Sequence, residues 1–288
     1  MPHFSRAGAK ARTRNCKGAR PCAPAPDGPA VRIPGSAVNN AHSEVNAAIA
    51  GAASETGEAE VATSGVLYVV ATPIGNLEDI SQRALNVLRS VDLILCEDTR
   101  HTRKLLSHYA ISARVEAYHE HNERQRTPAL VARLQAGAQV ALVSDAGTPT
   151  ISDPGYRLLE ALSHTEVAVV PIPGPSAVTA LISVSGLPTD RFVFEGFLPV
   201  KSGKRHQRLT QLASEERTIV LFESPYRIAR TLSECHEVWG DRRCCLGREL
   251  TKKFEEVRRD SLSGLCAWAN GRTFKGEIVL AVAGLGRL

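Results

Sequence analysis

The segment QVALVSDAGTPTISDPG, residues 139–155, places a short strand directly before a loop of small residues. Its first part, Gln139–Ser144, is a β-rich run of the length of a buried strand. In the loop that follows, Gly147 leaves backbone amides and carbonyls open to a ligand. Two prolines, Pro149 and Pro154, bracket part of this loop. A strand that feeds such a loop is typical of the ligand-binding edge of an α/β sheet.

From Val66 onward, short β-rich runs alternate with segments whose apolar residues recur at the spacing of a helix. This alternation predicts an α/β fold built on a largely parallel sheet. The turn-rich segment Gly186–Asp190 predicts a domain boundary, so we expect two α/β domains, residues 65–186 and 187–288, with a ligand cleft between them. The predicted strands are Val66–Ala71, Asp92–Cys96, Val115–Tyr118, Gln139–Ser144, Glu166–Pro171, Phe192–Phe197, Thr218–Glu223, Arg243–Gly247 and Glu277–Ala283.

Capping residues predict where several helices begin and end. Ser81 caps the first helix, and Ser176 caps the helix that follows the fifth strand. Another helix opens at Thr127, with Pro128 at its first helical position, and closes at Gly137. Each of these helices lies between two predicted strands, as an α/β domain requires.

The composition is that of a globular protein, with 43% hydrophobic and 23% charged residues among 288. It excludes a wholly disordered chain, a collagen and a coiled coil. No run approaches the about 18 consecutive apolar residues of a membrane helix. The seven cysteines lack the paired C-x-x-C spacing of a zinc site, so reduced thiols in the cytoplasm are the simplest interpretation.

Residues 1–64 differ from the rest, since they are rich in Ala, Pro, Gly and Ser and begin with a basic stretch. They lack a periodic apolar face, so we predict a disordered arm. The arm either binds nucleic acid or is an inert extension, and its sequence leaves both open. The whole chain carries a net charge of +5, and the part after the arm is nearly neutral, so any basic surface there is local.

Three predicted strand ends carry unusual loops, at residues 72–79, 144–155 and 171–177. Because the carboxyl ends of parallel strands share one edge of the sheet, these loops are expected to converge there. The last loop leads into the helix start at Ser176, where free amide groups suit a carboxylate or a phosphate. A dinucleotide site is the alternative, but the first loop has no G-x-G-x-x-G, and Pro73 removes an amide that a pyrophosphate needs.

Six short segments carry a resemblance to a known family. They resemble segments of the small-subunit ribosomal RNA methyltransferases, which belong to the tetrapyrrole-methylase-like, or class III, S-adenosylmethionine-dependent family. The segments occur in the same order along the chain, and the resemblance extends from about residue 66 to residue 284. Tetrapyrrole-methylating members typically have a G-x-G-x-G-D first loop, which is absent here, so the RNA branch is favoured. The segments are TPIGNLEDI (72–80), EDTRHT (97–102), SDAGTP (144–149), SDPG (152–155), PGPSA (173–177) and EGFLP (195–199).

The resemblance implies two α/β domains of the tetrapyrrole-methylase type, with the donor S-adenosylmethionine in the cleft between them and usually a homodimer. It also implies a cytoplasmic enzyme that methylates the 2′ oxygen of one cytidine ribose in the decoding region of 16S rRNA, within the small ribosomal subunit. Two alternatives stay open. One is methylation of a tetrapyrrole or another small molecule, and the other is a ribosome-assembly module that binds the donor without turnover.

We predict that the three loops wrap the methyl donor, with backbone groups at its methionine end and apolar side chains at its adenine. Transfer of a methyl group to a hydroxyl is an in-line displacement, so positioning by these loops supplies much of the acceleration. The predicted donor-binding residues are Pro73, Gly75, Asn76, Ser144, Asp145, Ala146, Gly147, Thr148, Pro149, Ser176 and Ala177.

The catalytic prediction rests on Asp98, at the carboxyl end of the second predicted strand. A hydroxyl is a weak nucleophile until its proton leaves, so Asp98 is the candidate general base, with Arg100 holding the nearby phosphate. The alternative has similar weight: Asp98 caps the helix that begins near Thr99. Catalysis by orientation, without a dedicated base, also stays open.

Two basic clusters predict contacts with RNA phosphates. Lys201, Lys204 and Arg205 follow the sixth predicted strand at the domain junction, and Arg103 and Lys104 lie on the other domain. Such residues neutralise phosphates without reading the base sequence. A solvated helix face is the alternative for the first cluster.

Three histidines, His101, His119 and His121, are candidate bases or metal ligands. The spacing of His119 and His121 suits a metal only where a third ligand converges with them. We therefore predict no metal site.

Overall fold

Two five-stranded sheets organise the chain in the computed structural model, which describes residues 64–286. The predicted disordered arm, residues 1–64, lies outside the described residues apart from Ser64. The strands are β1 Val66–Val70, β2 Leu93–Cys96, β3 Val115–Ala117, β4 Gln139–Val143, β5 Ala168–Ile172, β6 Phe192–Phe197, β7 Thr218–Glu223, β8 Arg243–Arg248, β9 Glu256–Ser261 and β10 Ile278–Val282. The helices are α1 Gln82–Ser90, α2 Thr99–His108, α3 Glu123–Gln135, α4 Tyr156–Leu162, α5 Ala177–Val184, α6 Ser202–Leu212, α7 Ile228–Trp239 and α8 Leu262–Ala269, with a 3-10 turn at Leu77–Asp79.

The first sheet is parallel throughout, in the order β3-β2-β4-β1-β5. Successive side chains of β1 point to opposite faces. Leu67 joins the core under α3 and α4, whereas Val70 joins the core under α1 and α2. Because helices cover both faces of the sheet, the strand sequences are nearly continuous apolar runs. Each fully buried leucine stabilises the fold by about 1.5–3 kcal/mol. The predicted parallel α/β fold is confirmed for this sheet.

The second sheet is mixed, in the order β6-β7-β10-β8-β9, with only β6 and β7 parallel. One face packs against α6, α7 and α8. The other face packs against Val178, Leu181 and Ile182 of α5 and against Ile74 from the loop after β1. Helix α5 precedes the predicted boundary at residues 186 and 187, yet it lies on the second sheet. The loops at the carboxyl edge of the first sheet therefore face the second sheet.

The helix starts are partly as predicted. Ser81 caps α1 by accepting a hydrogen bond from the amide of Ala84. Helix α3, however, begins at Glu123, so Pro128 lies inside it, and the predicted start at Thr127 is wrong. Tertiary contacts stabilise the additional first turn, because Arg157 pairs with Glu123 at 2.8 Å. Such contacts override the preference of proline for the first helical position.

Strand β9 was not predicted from the sequence. Its residues, EVRRDS, include four charged side chains and lack an apolar run. The strand pairs antiparallel with β8, and among residues 64–286 it is an edge strand of the second sheet. Charged side chains are common on such edges because they discourage pairing with other chains. Within residues 64–286, no helix has the length and apolar character needed to span a membrane.

Candidate active site

The loops after β4 and β5 line a cavity of about 370 Å³, here called the larger cavity. The opposite wall comes from the second sheet, through Phe197 of β6, Phe222 of β7 and Val279 of β10. Both sheets therefore contribute to one site, as expected for a cleft at the carboxyl edge of a parallel sheet. Among the predicted donor-binding residues, those that line this cavity are Asp145, Ala146, Gly147, Thr148, Ser176 and Ala177.

A second cavity of about 290 Å³, here called the smaller cavity, lies beside the first. Pro73 and Gly75 line it, together with His101 and Lys104 of α2 and Lys252 from the loop after β8. The two cavities share four lining residues: Ile74, Asp145, Ala146 and Glu277. A ligand bound in one cavity therefore lies close to a ligand bound in the other.

Backbone hydrogen bonds join the loops after β1 and β4. The amide of Thr72 donates to the carbonyl of Gly147 at 2.9 Å, and the amide of Gly147 donates to the carbonyl of Thr72 at 3.0 Å. Gly147 adopts a φ of +82°, in the left-handed region that glycine tolerates best. The two loops are thus fixed to each other across the sheet edge before any ligand binds.

The loop after β1 also contacts the second sheet closely. A Cβ atom on Gly75 would lie 2.4 Å from Cγ of Lys252 and 2.9 Å from the carbonyl oxygen of Leu250. The adjacent amide of Asn76 donates to Oγ1 of Thr251 at 2.9 Å. Only glycine fits this contact, here called the Gly75 contact, without moving one of the two backbones.

Three predicted donor-binding residues, Asn76, Ser144 and Pro149, line neither of these two cavities. Asn76 caps the 3-10 turn by accepting a hydrogen bond from the amide of Glu78. Ser144 is buried, and its hydroxyl donates to the carbonyl of Gly147 at 3.2 Å. Asn76 and Ser144 shape the loops whose other residues form the cavity walls.

Asp98 caps helix α2, so the capping interpretation is confirmed. Its Oδ1 accepts a hydrogen bond from the amide of Arg100 at 2.7 Å, and its Oδ2 pairs with the Arg100 guanidinium at 2.9 Å. These hydrogen bonds, first from the guanidinium and then from the amide, lower the pKa of Asp98 to about 2. A carboxylate whose lone pairs are already engaged in this way is a weak proton acceptor.

Asp153 is a carboxylate that sequence reasoning did not select. It lines the larger cavity, and burial raises its pKa to about 6. A hydrogen bond from the Ser144 side chain acts in the opposite direction and lowers the pKa of Asp153. The negative charges of Glu97, Asp145 and Glu277 raise it further, since each disfavours another charge nearby. Burial also raises the pKa of Glu97. The site therefore contains a carboxyl group that changes charge close to neutral pH.

The loop that carries Asp153 has a strained backbone. Thr150 and Ser152 have φ values of +72° and +65°, and such residues cost about 1–3 kcal/mol each. Gly155, at φ +130°, precedes α4, and a Cβ there would lie 2.7 Å from Leu142. Strain of this kind clusters at functional sites, and the SDPG segment was the sequence signal that pointed to this loop.

The predicted RNA-binding residues have different surroundings. Lys104 lines the smaller cavity, whereas Arg103, its neighbour on α2, is exposed and lines neither of the two cavities. Lys201 and Lys204 are exposed at the start of α6. Within residues 64–286, neither of these two lysines forms an ion pair. Both are therefore available to a polyanion.

The prediction that Arg205 binds RNA is wrong. Its side chain is 2% exposed, because it lies on the buried face of α6 with Leu209 and Leu212. The guanidinium pairs with Glu234 and donates to the carbonyl of Val200 at 2.8 Å. Arg205 therefore fixes the loop that follows β6, and its charge is already neutralised.

The histidines show no convergence on a third ligand. The rings of His119 and His121 lie 6.0 Å apart between centroids. Across residues 64–286, no group of three or more His, Cys, Asp or Glu side chains is arranged to hold a metal ion. His101 instead lines the smaller cavity beside Lys104.

Comparison with known proteins agrees with this architecture. The family described as Tetrapyrrole (Corrin/Porphyrin) Methylases matches residues 66–266. The chain is 52% identical over 222 residues to ribosomal RNA small subunit methyltransferase I of Vibrio cholerae, which covers 76% of this chain and 77% of that protein. It is 54% identical over 219 residues to the protein of the same name from Mesorhizobium japonicum, covering 75% and 74% of the two chains.

A solved structure shares the fold. Uroporphyrin-III C-methyltransferase from Thermus thermophilus superimposes with a TM-score of 0.54 at 18% identity, covering 77% of this chain and 98% of the other. At such low identity the likeness concerns the fold alone. The family match, residues 66–266, contains the first sheet, strands β6 to β9 of the second sheet and the loops after β1, β4 and β5. The chain therefore belongs to the tetrapyrrole methylase family and, within it, to the group of ribosomal RNA small subunit methyltransferase I.

Proposed function

We propose that this protein is an S-adenosylmethionine-dependent methyltransferase that acts on the 2′ oxygen of a cytidine ribose in the decoding region of 16S rRNA. The observation that carries the proposal is the convergence of predicted donor-binding loops on the larger cavity, opposite the second sheet. The relatives named ribosomal RNA small subunit methyltransferase I, at 52% and 54% identity, support the choice of substrate.

The residues of the larger cavity fit this methyl donor. Its volume of about 370 Å³ lies within the range of small-molecule sites, about 300–1,000 Å³. Ile74, Phe222 and Val279 form apolar walls that suit an adenine ring, and small residues such as Gly147 and Ala177 expose backbone polar groups. When bound, S-adenosylmethionine supplies a methyl group activated by a positively charged sulfonium, a charge that the carboxylates of this site complement.

Asp153, rather than Asp98, is the proton acceptor in this proposal. The Asp153 carboxylate lies in the wall of the larger cavity, and its raised pKa suits it to take up a proton near neutral pH. It would accept the proton that the ribose hydroxyl loses during transfer. Asp98 would instead keep α2 capped and Arg100 in place.

The RNA would approach through exposed cations. Lys104 in the smaller cavity, Lys201 directly before α6 and Lys204 on α6 would neutralise backbone phosphates. Because its substrate is part of the ribosome, the enzyme would act in the cytoplasm, and it would form a homodimer, as the resemblance to its family implies.

Labelled donor mixed with undermethylated small subunits tests the function. We expect label in the ribose of one cytidine after digestion to nucleosides. Ser176→Trp, which fills the larger cavity, should abolish donor binding, whereas Ser183→Trp on the exposed side of α5 should leave it intact. Label in a tetrapyrrole and none in RNA, or donor binding with no transfer to any acceptor, would contradict the proposal.

A further inference from the structure

Large apolar side chains stand exposed at the rim of the larger cavity. Phe197, at the end of β6, lines the cavity and is 57% exposed. Tyr226 directly follows Pro225, another lining residue, and is 92% exposed. Val200 is 78% exposed in the loop after β6. We call the three exposed residues, Phe197, Val200 and Tyr226, the rim platform. A functional role is the usual reason for apolar surface gathered beside a cavity.

The rim platform rests on fixed loops. The buried carboxylate of Glu223 accepts a hydrogen bond from Nε of Arg227 at 2.7 Å and another from the hydroxyl of Thr231 at 2.6 Å. Glu223 also accepts from the amide of Ser224 at 2.7 Å, which fixes the backbone leading to Tyr226. On the other side, Arg205 holds the Val200 carbonyl. The exposed rings are thus presented by a preorganised backbone.

The charge around the rim platform favours a nucleic acid. Lys201 directly follows Val200, Lys204 lies one turn further, and neither pairs with a carboxylate among residues 64–286. Interfaces between protein chains are depleted in lysine, so these lysines argue against a second copy of this chain as the occupant. Aromatic rings beside lysines are the usual surface for single-stranded nucleic acids, whose bases stack while their phosphates meet the cations.

We infer that the rim platform is a stacking site for unpaired bases of the RNA strand that flanks the target nucleotide. The inference rests on the proposed function and extends it. A ribose enters the larger cavity, between the two sheets, only when its nucleotide leaves the helical stack, so the adjacent bases lose stacking partners. Tyr226 and Phe197 replace those partners at the cavity rim.

Affinity for a fluorescein-labelled single-stranded oligocytidine, measured by anisotropy, tests the inference. Tyr226→Ala should weaken binding roughly 5- to 150-fold, the usual effect of removing one stacking ring. Tyr226→Phe should retain wild-type affinity, because stacking needs the ring and not the hydroxyl. Tyr156→Ala is the matched control, since Tyr156 is 66% exposed, hydrogen-bonds to Glu160 and lines neither of the two cavities, and it should have no effect.

The salt dependence of RNA affinity distinguishes the contribution of the aromatic rings from that of the lysines. Replacing Lys201 and Lys204 by Ala should make the slope of log affinity against log salt shallower by about 0.7 per lysine, whereas Tyr226→Ala should leave the slope unchanged. Wild-type affinity in Tyr226→Ala would overturn the inference. So would a change of subunit number in sedimentation with unchanged RNA affinity, which would assign the rim platform to a second copy.

Parallel assays keep the inference separate from the proposed function. Donor binding and ribose methylation are measured on the wild type and on Tyr226→Ala. A wild type that transfers no methyl group to RNA contradicts the proposed function. A wild type that methylates, together with a Tyr226→Ala variant that binds and methylates equally well, contradicts only the inference.

Discussion

Two loops at the same edge of the first sheet carry carboxylates with opposite properties. Asp98, after β2, is engaged by the amide and the guanidinium of Arg100, and its pKa is lowered to about 2. Asp153, after β4, lies in a cavity wall near three other carboxylates, and its pKa is raised to about 6. Both carboxylates follow the end of a strand, but they differ in hydrogen-bond partners and in burial. These two differences decide which carboxylate can accept a proton near pH 7.

The largest expected effect is on the rate of methyl transfer. Asp153→Asn removes the proton acceptor while keeping the size of the side chain, so the single-turnover rate should fall about 100- to 10,000-fold. Donor affinity should change much less, because the cavity shape is retained. Rapid-quench assays with labelled donor measure the rate, and calorimetry measures the affinity. If the loss appears only in donor affinity, Asp153 binds the sulfonium charge and is not the base.

Two neighbouring cations on α6 differ in the same way: Arg205 is buried and paired, whereas Lys204 is exposed. Arg205→Ala leaves the partly buried Glu234 with one fewer partner and frees the loop after β6, so the free energy of unfolding should fall by about 3 kcal/mol. Lys204→Ala should change it by less than about 0.5 kcal/mol. Urea titrations measure both. Equal stabilities would show that the Arg205 bonds contribute nothing.

The two carboxylates should also shift stability with pH in opposite directions. The folded pKa of Asp153, about 6, exceeds the ordinary 3.8, so Asp153 increasingly destabilises the fold as pH rises from about 4 to 7. Asp153→Asn should therefore be more stable than the wild type at pH 8, by about 1–3 kcal/mol, and equal to it near pH 3.5. Asp98, with its lowered pKa, stabilises the fold above pH 4, and this contribution is lost as pH falls towards 2.

Chemical denaturation at several pH values measures this difference. A wild type and an Asp153→Asn variant with parallel pH profiles would show that Asp153 is not desolvated. Asp98→Ala serves as the comparison, since it should lose stability at pH 7 and approach the wild type only in strong acid.

The smallest expected effect is that of Asp98→Asn. Asparagine caps helices about as well as aspartate, so α2 should keep its start, and the single-turnover rate at pH 7.5 should stay close to that of the wild type. The same rapid-quench assay measures it. A loss as large as that of Asp153→Asn would restore Asp98 as the base and remove the distinction between the two loops.

Much of the fold could be predicted from local pattern. The bounds of β6 and β7 match their predictions, because apolar runs ended by turn residues define them locally. Strand β9 was missed because its charged sequence pairs only through the partner strand β8. Helix α3 was predicted to start too late because the bond between Glu123 and Arg157 joins residues 34 positions apart.

The candidate site was predictable to the level of loops, but not of individual side chains. Glycine and proline mark the loops that line the cavities, and parallel strands bring those loops to one edge. Which carboxylate is buried, and which arginine points inward, depends on the second sheet and on helix packing. Asp153 and Arg205 are the residues for which this mattered, since neighbours far away in sequence set their burial and charge.

The Gly75 contact holds the loop after β1 against the loop after β8. Separating the loops after β1 and β8 would break the hydrogen bond from Asn76 to Thr251 and open two backbones that now touch. A long polymer therefore gains nothing by pushing in from that end. We expect it to enter from the other side, past Phe197 and Pro225 beside the rim platform.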